Sequence, residues 1–228
     1  MGIVYFIRHA ESIVNINREF SYKIVDKGLT EKGKMQASQL ADYVESINFS
    51  YMFSSPMKRT RETSEFIAKK KNISYQVIEE IREVNVGDLE YTPADDKEQM
   101  KRAWKLYFEI ARSWYSGTPE RRFPNGENMY ELMERFKFAV KRVLEESNGK
   151  PAVLLGHGGI FITGLAEILT NVKRKFFYEN RWLNCGMSTV DVSLKNGELT
   201  AELIKFGDVS FLSGEASKQH YPLPKLDD

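Results

Sequence analysis

Apolar residues along this chain fall into two patterns. The first is the short unbroken run: Ile3-Val4-Tyr5-Phe6-Ile7, Tyr51-Met52-Phe53 and Ala152-Val153-Leu154-Leu155. Runs of this length without alternation suit strands buried on both faces, as in parallel sheets. The second is helical spacing. Ala37, Leu40, Ala41 and Val44 form one apolar stripe, which predicts a helix opening at Thr30 as N-cap with Glu31 in its first turn. Met129, Leu132, Met133, Phe136, Ala139, Val140, Val143 and Leu144 form a second, over 127–147, ended by Asn148-Gly149. Residues 57–71 predict a helix started by Pro56, with Phe66 and Ile67 inward and lysines at its carboxyl end. Residues 74–78 are another β-rich run. Residues 187–194 and 198–205 read as strands joined by Lys195-Asn196-Gly197, in which Asn-Gly signals a hairpin. From Gly207 onward, with Pro222 and Pro224, the pattern predicts irregular structure. Strands alternating with helices define an α/β chain: a three-layer α/β/α sandwich, its central sheet mostly parallel, with a C-terminal hairpin.

Residues 91–126 differ in character. Trp104, Tyr107, Phe108, Trp114 and Tyr115 alternate with Lys101, Arg102, Lys105 and Arg112. The spacing predicts one long helix followed by a loop through Gly117-Thr118-Pro119 to Pro124-Asn125-Gly126. This stretch is short for a core of its own. It reads as an excursion placed over the site, within a single domain spanning 1–228.

Composition narrows the function by exclusion. The 228 residues carry a net charge of +1, which offers no electrostatic case for nucleic acid or membrane partners. No apolar run approaches the roughly 18 residues of a membrane span, and the N-terminus enters a strand without a leader-like segment. The single cysteine, Cys185, excludes an internal disulfide and a multi-cysteine zinc site. Cytoplasmic localisation is the expectation, with Cys185 a buried small hydrophobe.

The chemistry sits where the apolar runs end. Ile7 is followed by Arg8-His9, and Leu155 by Gly156-His157-Gly158-Gly159. The chain has three histidines, and two of them terminate buried strands. In open α/β sheets this is the end that binds ligands. Arginine brings a fixed fork of donors and histidine a nucleophile or proton carrier near neutral pH. His157 lies at a strand-to-helix turn, where free N–H groups and the helix dipole favour an anion. Residues 11–27 predict a polar loop at the mouth of the site, with Asn15, Asn17, Arg18 and Ser21. Taken singly, Arg59 is a helix residue just past a strand and Glu83 one carboxylate among many.

Together these segments form a recognisable order. Arg8-His9-Ala10-Glu11-Ser12 with Asn15 resembles the R-H-G-x-S-x-x-N signature of the histidine phosphatase superfamily, with Ala10 where glycine is usual. Leu29-Thr30 to Gly33 resembles its L-T-x-x-G segment. Ser54-Ser55 through Arg59 to Thr63 resembles S-S-x-x-x-R-x-x-x-T. Arg82-Glu83 to Gly87 resembles R-E-x-x-x-G, and Gly156-His157-Gly158 the second-histidine motif. The resemblance covers nearly the whole chain and implies a phosphoglycerate mutase-like fold.

It also implies roles. His9 would take the phosphoryl group as phosphohistidine. Arg8, Arg59 and His157, joined by Asn15, Ser21 and the Gly158 N–H, would bind it. Glu83 would protonate the leaving alkoxide and then activate water, with Glu11, Asp88 and Glu90 as the next acids to consider. No metal is implied. The superfamily contains hydrolases and mutases. Here Ala111-Arg112-Ser113-Trp114-Tyr115-Ser116 lacks the paired arginines of the mutases' W-R-R-S-Y segment, and Phe123-Pro124-Asn125-Gly126-Glu127-Asn128 resembles the P-G-G-E-S segment of the phosphatases. The expectation is a phosphomonoester hydrolase acting on a small phosphorylated metabolite without a cofactor. The alternative is a phosphoglycerate mutase, which would use 2,3-bisphosphoglycerate, and a non-catalytic phospho-ligand binder ranks third. Oligomeric state is left open, with a homodimer as one option.

Overall fold

Six strands form one sheet in the computed structural model, which describes residues 1–219. They are β1 (Gly2–Arg8), β2 (Tyr51–Ser54), β3 (Gln76–Val77), β4 (Ala152–Gly156), β5 (Met187–Lys195) and β6 (Glu198–Asp208), in the order β3-β2-β4-β1-β5-β6. The unbroken apolar runs form the parallel centre: β1 pairs with β4, β4 with β2, and β2 with β3. β5 adds antiparallel to β1 and β6 antiparallel to β5, as the predicted hairpin, whose Asn196 and Gly197 both take positive φ, 52° and 81°. That is the geometry of a tight two-residue turn.

Each central strand sends alternate side chains into two cores. Val4, Phe6 and Leu154 face one cluster, and Ile7, Val153 and Leu155 the other. Helices α2 (Glu31–Val44) and α3 (Lys58–Lys71) cover the second face. Helices α4 (Lys97–Tyr115), α5 (Met129–Glu146) and α6 (Gly158–Ile168) cover the first. The caps follow the sequence: Thr30 Oγ1 accepts from the Gly33 N–H at 2.9 Å, and Asn128 and Glu131 form a reciprocal box at the start of α5. Asn148 and Gly149 end α5 with φ of 50° and 70°. Cys185 is buried, as expected.

Some expectations change. The loop after β1 contains a short helix, α1 (Ile13–Asn17), because Asn15 Oδ1 receives both the N–H and the hydroxyl of Ser12 and closes a turn. Pro56 does not open α3; Met57 is the N-cap. The Ser55 N–H still donates to Leu155 O, so the β2 line runs two residues further than its apolar run. The 74–78 run yields only two paired residues at the sheet edge. A further short helix, α7 (Lys175–Glu179), precedes β5. The segment after Gly207 is not wholly irregular: a 3-10 turn at Gly214–Ser217 places Ala216 O against Gln36 Nε2 of α2 at 3.0 Å. Pro222, Pro224 and the third histidine, His220, lie outside the described residues.

The topology places the site. β1 and β4 are neighbours, yet the chain leaves β1 toward the α2 face and leaves β4 toward the α6 face. Connections that diverge to opposite faces open a crevice at the strands' carboxyl ends.

Candidate active site

Arg8 is in register with Gly156, so His9 and His157 leave the sheet side by side. The His9 N–H donates to Gly156 O at 3.1 Å, and the two imidazole centroids are 5.2 Å apart. Both rings are buried.

His9 Nδ1 lies 2.7 Å from the carbonyl oxygen of Ala10. A nitrogen facing a carbonyl carries the proton, so Nε2 keeps its lone pair. That lone pair accepts from Arg59 Nε at 3.2 Å. Burial first, then the charges of Arg59 and Arg8, hold the His9 pKa well below the ordinary histidine value. The ring is a neutral base with its free nitrogen aimed at a cation.

Arg59 occupies the second position of α3 and is buried there. Its Nη1 donates to Ser21 Oγ at 2.6 Å and its Nη2 to Ser21 O at 3.1 Å. Nη2 also lies 3.0 Å from His157 Nδ1. A guanidinium only donates, so Nδ1 accepts and the His157 proton sits on Nε2, which donates to Ser55 Oγ at 2.8 Å. His157 is likewise held well below its usual pKa, by burial and then by Arg59. Burial lowers the Arg59 pKa to about 10, which leaves it charged at neutral pH.

Arg8 Nη1 donates to Trp182 O at 2.6 Å, while its Nε is buried without a hydrogen-bond partner among the described residues. A Cβ built on Gly158 would stand 3.5 Å from that Nε, so glycine leaves the space beside this donor open. Gly158 is also the first residue of α6, whose leading N–H groups have no partner within the helix. The next two are satisfied by Glu83: Gly159 N–H to Oε2 at 3.1 Å and Ile160 N–H to Oε1 at 2.9 Å. Oε1 accepts from the Val84 N–H as well, at 3.0 Å. Oε1 thus takes two donors and Oε2 one, so Oε2 is the oxygen with a position left to carry a proton. Asn15 Oδ1 accepts from Ser12 and, at 3.2 Å, from Asn184 Nδ2, which leaves the Asn15 amide nitrogen as the group offered to a ligand.

These groups form the polar end of a cavity of about 620 Å³. Arg8, His9, Asn15, Ser21, Arg59, Glu83 and Gly158 all line it. His157 stands behind Arg59. Ser21 reaches the site chiefly as the acceptor that orients Arg59, and its own hydroxyl donates to Val25 O. The other candidate acids, Glu11, Asp88 and Glu90, do not line the cavity. Glu11 is tied to Thr30 and Lys32, Asp88 accepts from Asn125 Nδ2, and Glu90 is buried beneath residues 22–25. Among the described residues, no group of three or more His, Cys, Asp or Glu side chains is placed to hold a metal ion.

Several supporting residues carried no assigned role in the sequence. Ser55 was visible within a motif, but its bond to His157 was not. Asn184 gives no local signal; it donates to His9 O at 3.0 Å from the turn before β5. Arg135 of α5 pairs in two places with Glu127, and it donates to the carbonyls of Glu80, Arg82 and Glu83 at 2.7–2.9 Å. That guanidinium fixes the strip of backbone from which Glu83 projects.

Comparison with known proteins agrees with this geometry. The profile of the histidine phosphatase superfamily (branch 1) matches residues 4–203. A protein from Escherichia fergusonii named as a probable phosphoglycerate mutase, GpmB, is 30% identical over 217 residues, covering 93% of this chain and 96% of that protein. Among solved structures, Bacillus stearothermophilus YhfR superposes with a TM-score of 0.74 at 24% identity, over 92% of this chain and 99% of its own. A mycobacterial glucosyl-3-phosphoglycerate phosphatase solved with VO3 gives a TM-score of 0.72 at 17% identity, over 91% and 99%. The two structures share the fold.

Proposed function

Because the chain belongs to the histidine phosphatase superfamily, an enzyme family of phosphatases and phosphoglycerate mutase-like proteins, we propose that it is a phosphomonoesterase working through a phosphohistidine on His9. The observation that carries the reading is the His9 ring: neutral, its tautomer set by Ala10 O, its Nε2 lone pair turned toward Arg59. An incoming phosphoryl group takes the place of that Arg59 contact. Nε2 attacks phosphorus, the N–P bond forms and the P–O bond to the leaving alcohol breaks. Arg8, Arg59, the Asn15 amide and the Gly158 N–H meet the non-bridging oxygens, and His157 holds Arg59 in place. Donors organised in advance stabilise the transferring charge without rearranging during the step. Glu83 Oε2 gives its proton to the leaving oxygen. Water then enters, returns a proton to Glu83 and attacks phosphorus, and the N–P bond breaks to restore His9.

The mutase reading rests on the name of the GpmB relative. Hydrolysis is favoured by the excursion, which lacks the paired-arginine segment, and no cofactor is then required. One sample decides between them. Phosphate release from a panel of monoesters should exceed isomerisation of 3-phosphoglycerate with 2,3-bisphosphoglycerate present, and turnover should survive EDTA. His9→Ala should abolish turnover and the acid-labile, base-stable phosphoprotein formed from labelled substrate. Turnover retained in His9→Ala would sink the mechanism.

A further inference from the structure

The cavity is far larger than its catalytic end. Its volume of about 620 Å³ lies within the range of roughly 300–1,000 Å³ that accommodates drug-sized ligands. A three-carbon phosphate ester would leave most of it to solvent.

Much of the remaining wall is aromatic. Phe20, Trp104, Tyr107, Phe108, Tyr115 and Phe177 line it. Four come from one face of α4, at positions 104, 107, 108 and 115, with Ala111 between them. The Phe20 ring lies 4.2 Å from Trp104, Trp104 is 5.3 Å from Tyr107, and Tyr107 is 5.5 Å from Phe108. Trp104 Nε1 donates to Arg18 O at 2.9 Å, so the indole has its polar group satisfied and presents carbon. Trp104, Tyr107 and Phe108 are half-buried, although the neighbouring core takes in Met100, Ala103, Ile110 and Trp114 from the same helix. Helix α4 therefore buries one stripe in the core, while Trp104, Tyr107 and Tyr115 lean partly on that core and, with Phe108, line the cavity. A preformed concave cavity with the catalytic groups at one end and an aromatic stripe along α4 fits an amphipathic ligand: phosphate at His9, rings and hydrocarbon against α4.

We propose that the alcohol carried by the natural substrate is bulky, apolar and ring-containing, so that the enzyme takes arylalkyl-type phosphomonoesters in preference to compact charged ones. This rests on the phosphomonoesterase reading above. Arg18, Arg112 and Arg181 also line the cavity, together with Glu19 and Glu179. Those arginines carry charge opposite to the carboxylate of a compact acid such as phosphoglycerate, which makes that ester the informative competitor.

The test compares 2-(2-naphthyl)ethyl phosphate, ethyl phosphate and 3-phosphoglycerate by phosphate release, with p-nitrophenyl phosphate as control. The first two release primary alkoxides of similar basicity, so their ratio reports the pocket rather than the chemistry. The naphthylethyl ester should exceed ethyl phosphate in kcat/KM by at least about 100-fold, since each methylene-sized contact in such a pocket is worth about 10-fold or more. It should also exceed 3-phosphoglycerate. Phe108→Ala should lower the naphthylethyl-to-ethyl ratio by about 10-fold, and Ala111→Phe, which fills the space instead of emptying it, should lower it too. A general loss of folded enzyme would reduce both rates and leave the ratio in place. A wild-type ratio near one, a preference for 3-phosphoglycerate, or a ratio unmoved in both variants would overturn the proposal while p-nitrophenyl phosphate is still hydrolysed. Failure to hydrolyse p-nitrophenyl phosphate at all would instead remove the phosphomonoesterase reading beneath it.

Discussion

At His9 and His157, burial and the nearby guanidinium groups act in the same direction, against the charged ring. This has a consequence for stability. The unfolded chain takes up protons on both residues near pH 6.5, while the folded chain resists until a lower pH. Below pH 6.5 the unfolded state therefore binds more protons, and stability falls with falling pH until the depressed folded pKa values are passed; above pH 6.5 neither residue contributes a slope. Each adds up to about 1.4 kcal/mol per pH unit within that window. Urea titrations at pH 7.5 and 5.5 should show the loss, and a His9→Asn His157→Asn variant should show a smaller one. An equal loss in that variant would place the effect on other groups. Glu83 and Arg59 separate by a different measurement. A proton donor matters most for a poor leaving group, and general acid catalysis is worth about 10²–10⁴-fold. Glu83→Gln should lose most of that factor on an alkyl phosphate and clearly less on p-nitrophenyl phosphate, where His9 phosphorylation limits the rate. Arg59→Ala should depress both alike, because it stabilises the transferring group. Equal slowing of both substrates by Glu83→Gln would move the acid elsewhere.

Between residue and fold, the loop after α1 shows how an element without regular structure is held. The N–H groups of Tyr22, Lys23, Ile24 and Val25 converge on one oxygen of Glu90 at 2.8–2.9 Å. The same loop carries Ser21, the acceptor of Arg59. Glu90 is thus a positioning residue that acts through two intermediaries. Glu90→Ala leaves four donors unmatched and should cost about 1–3 kcal/mol of stability. It should also speed hydrogen exchange at amides 22–25 and lower kcat/KM on alkyl and aryl substrates by the same factor, with Glu90→Gln partly restoring both. Unchanged exchange at those amides would refute the anchoring role. Close packing has a similar logic at α6. A Cβ on Gly164 would come within 2.4 Å of the Phe136 ring, so glycine there lets α5 and α6 approach. Elements with strong periodicity, α2, α5 and the hairpin, were legible because one stripe of each had a single apolar destination, and α4 was legible as a helix from its aromatic spacing alone. The two-residue β3 and the helix α1 were not. Edge pairing and a side-chain turn leave little trace in hydrophobic pattern.

Across the whole molecule, the chain could be read as α/β from the unbroken runs of β1, β2 and β4, since only strands covered on both faces need them. Arg8, His9, Asn15, Arg59, Glu83, His157 and Gly158 could be named as candidates because their motifs follow one another in a distinctive order. Those are properties of local sequence: period, punctuation and residue chemistry. What the local sequence leaves open is the pairing of groups far apart in the chain. Nothing near residue 9 says that Arg59 will take its lone-pair nitrogen, that Ser21 will orient Arg59, or that Arg135 will fix the backbone of Glu83. Nor does the aromatic spacing of α4 say which stripe enters the core and which faces the cavity. Register between β1 and β4 and the divergence of their connecting helices decided these contacts. A hydrogen bond or a cavity wall depends on where two segments meet, and that meeting is set only when the sheet closes and its two faces are covered.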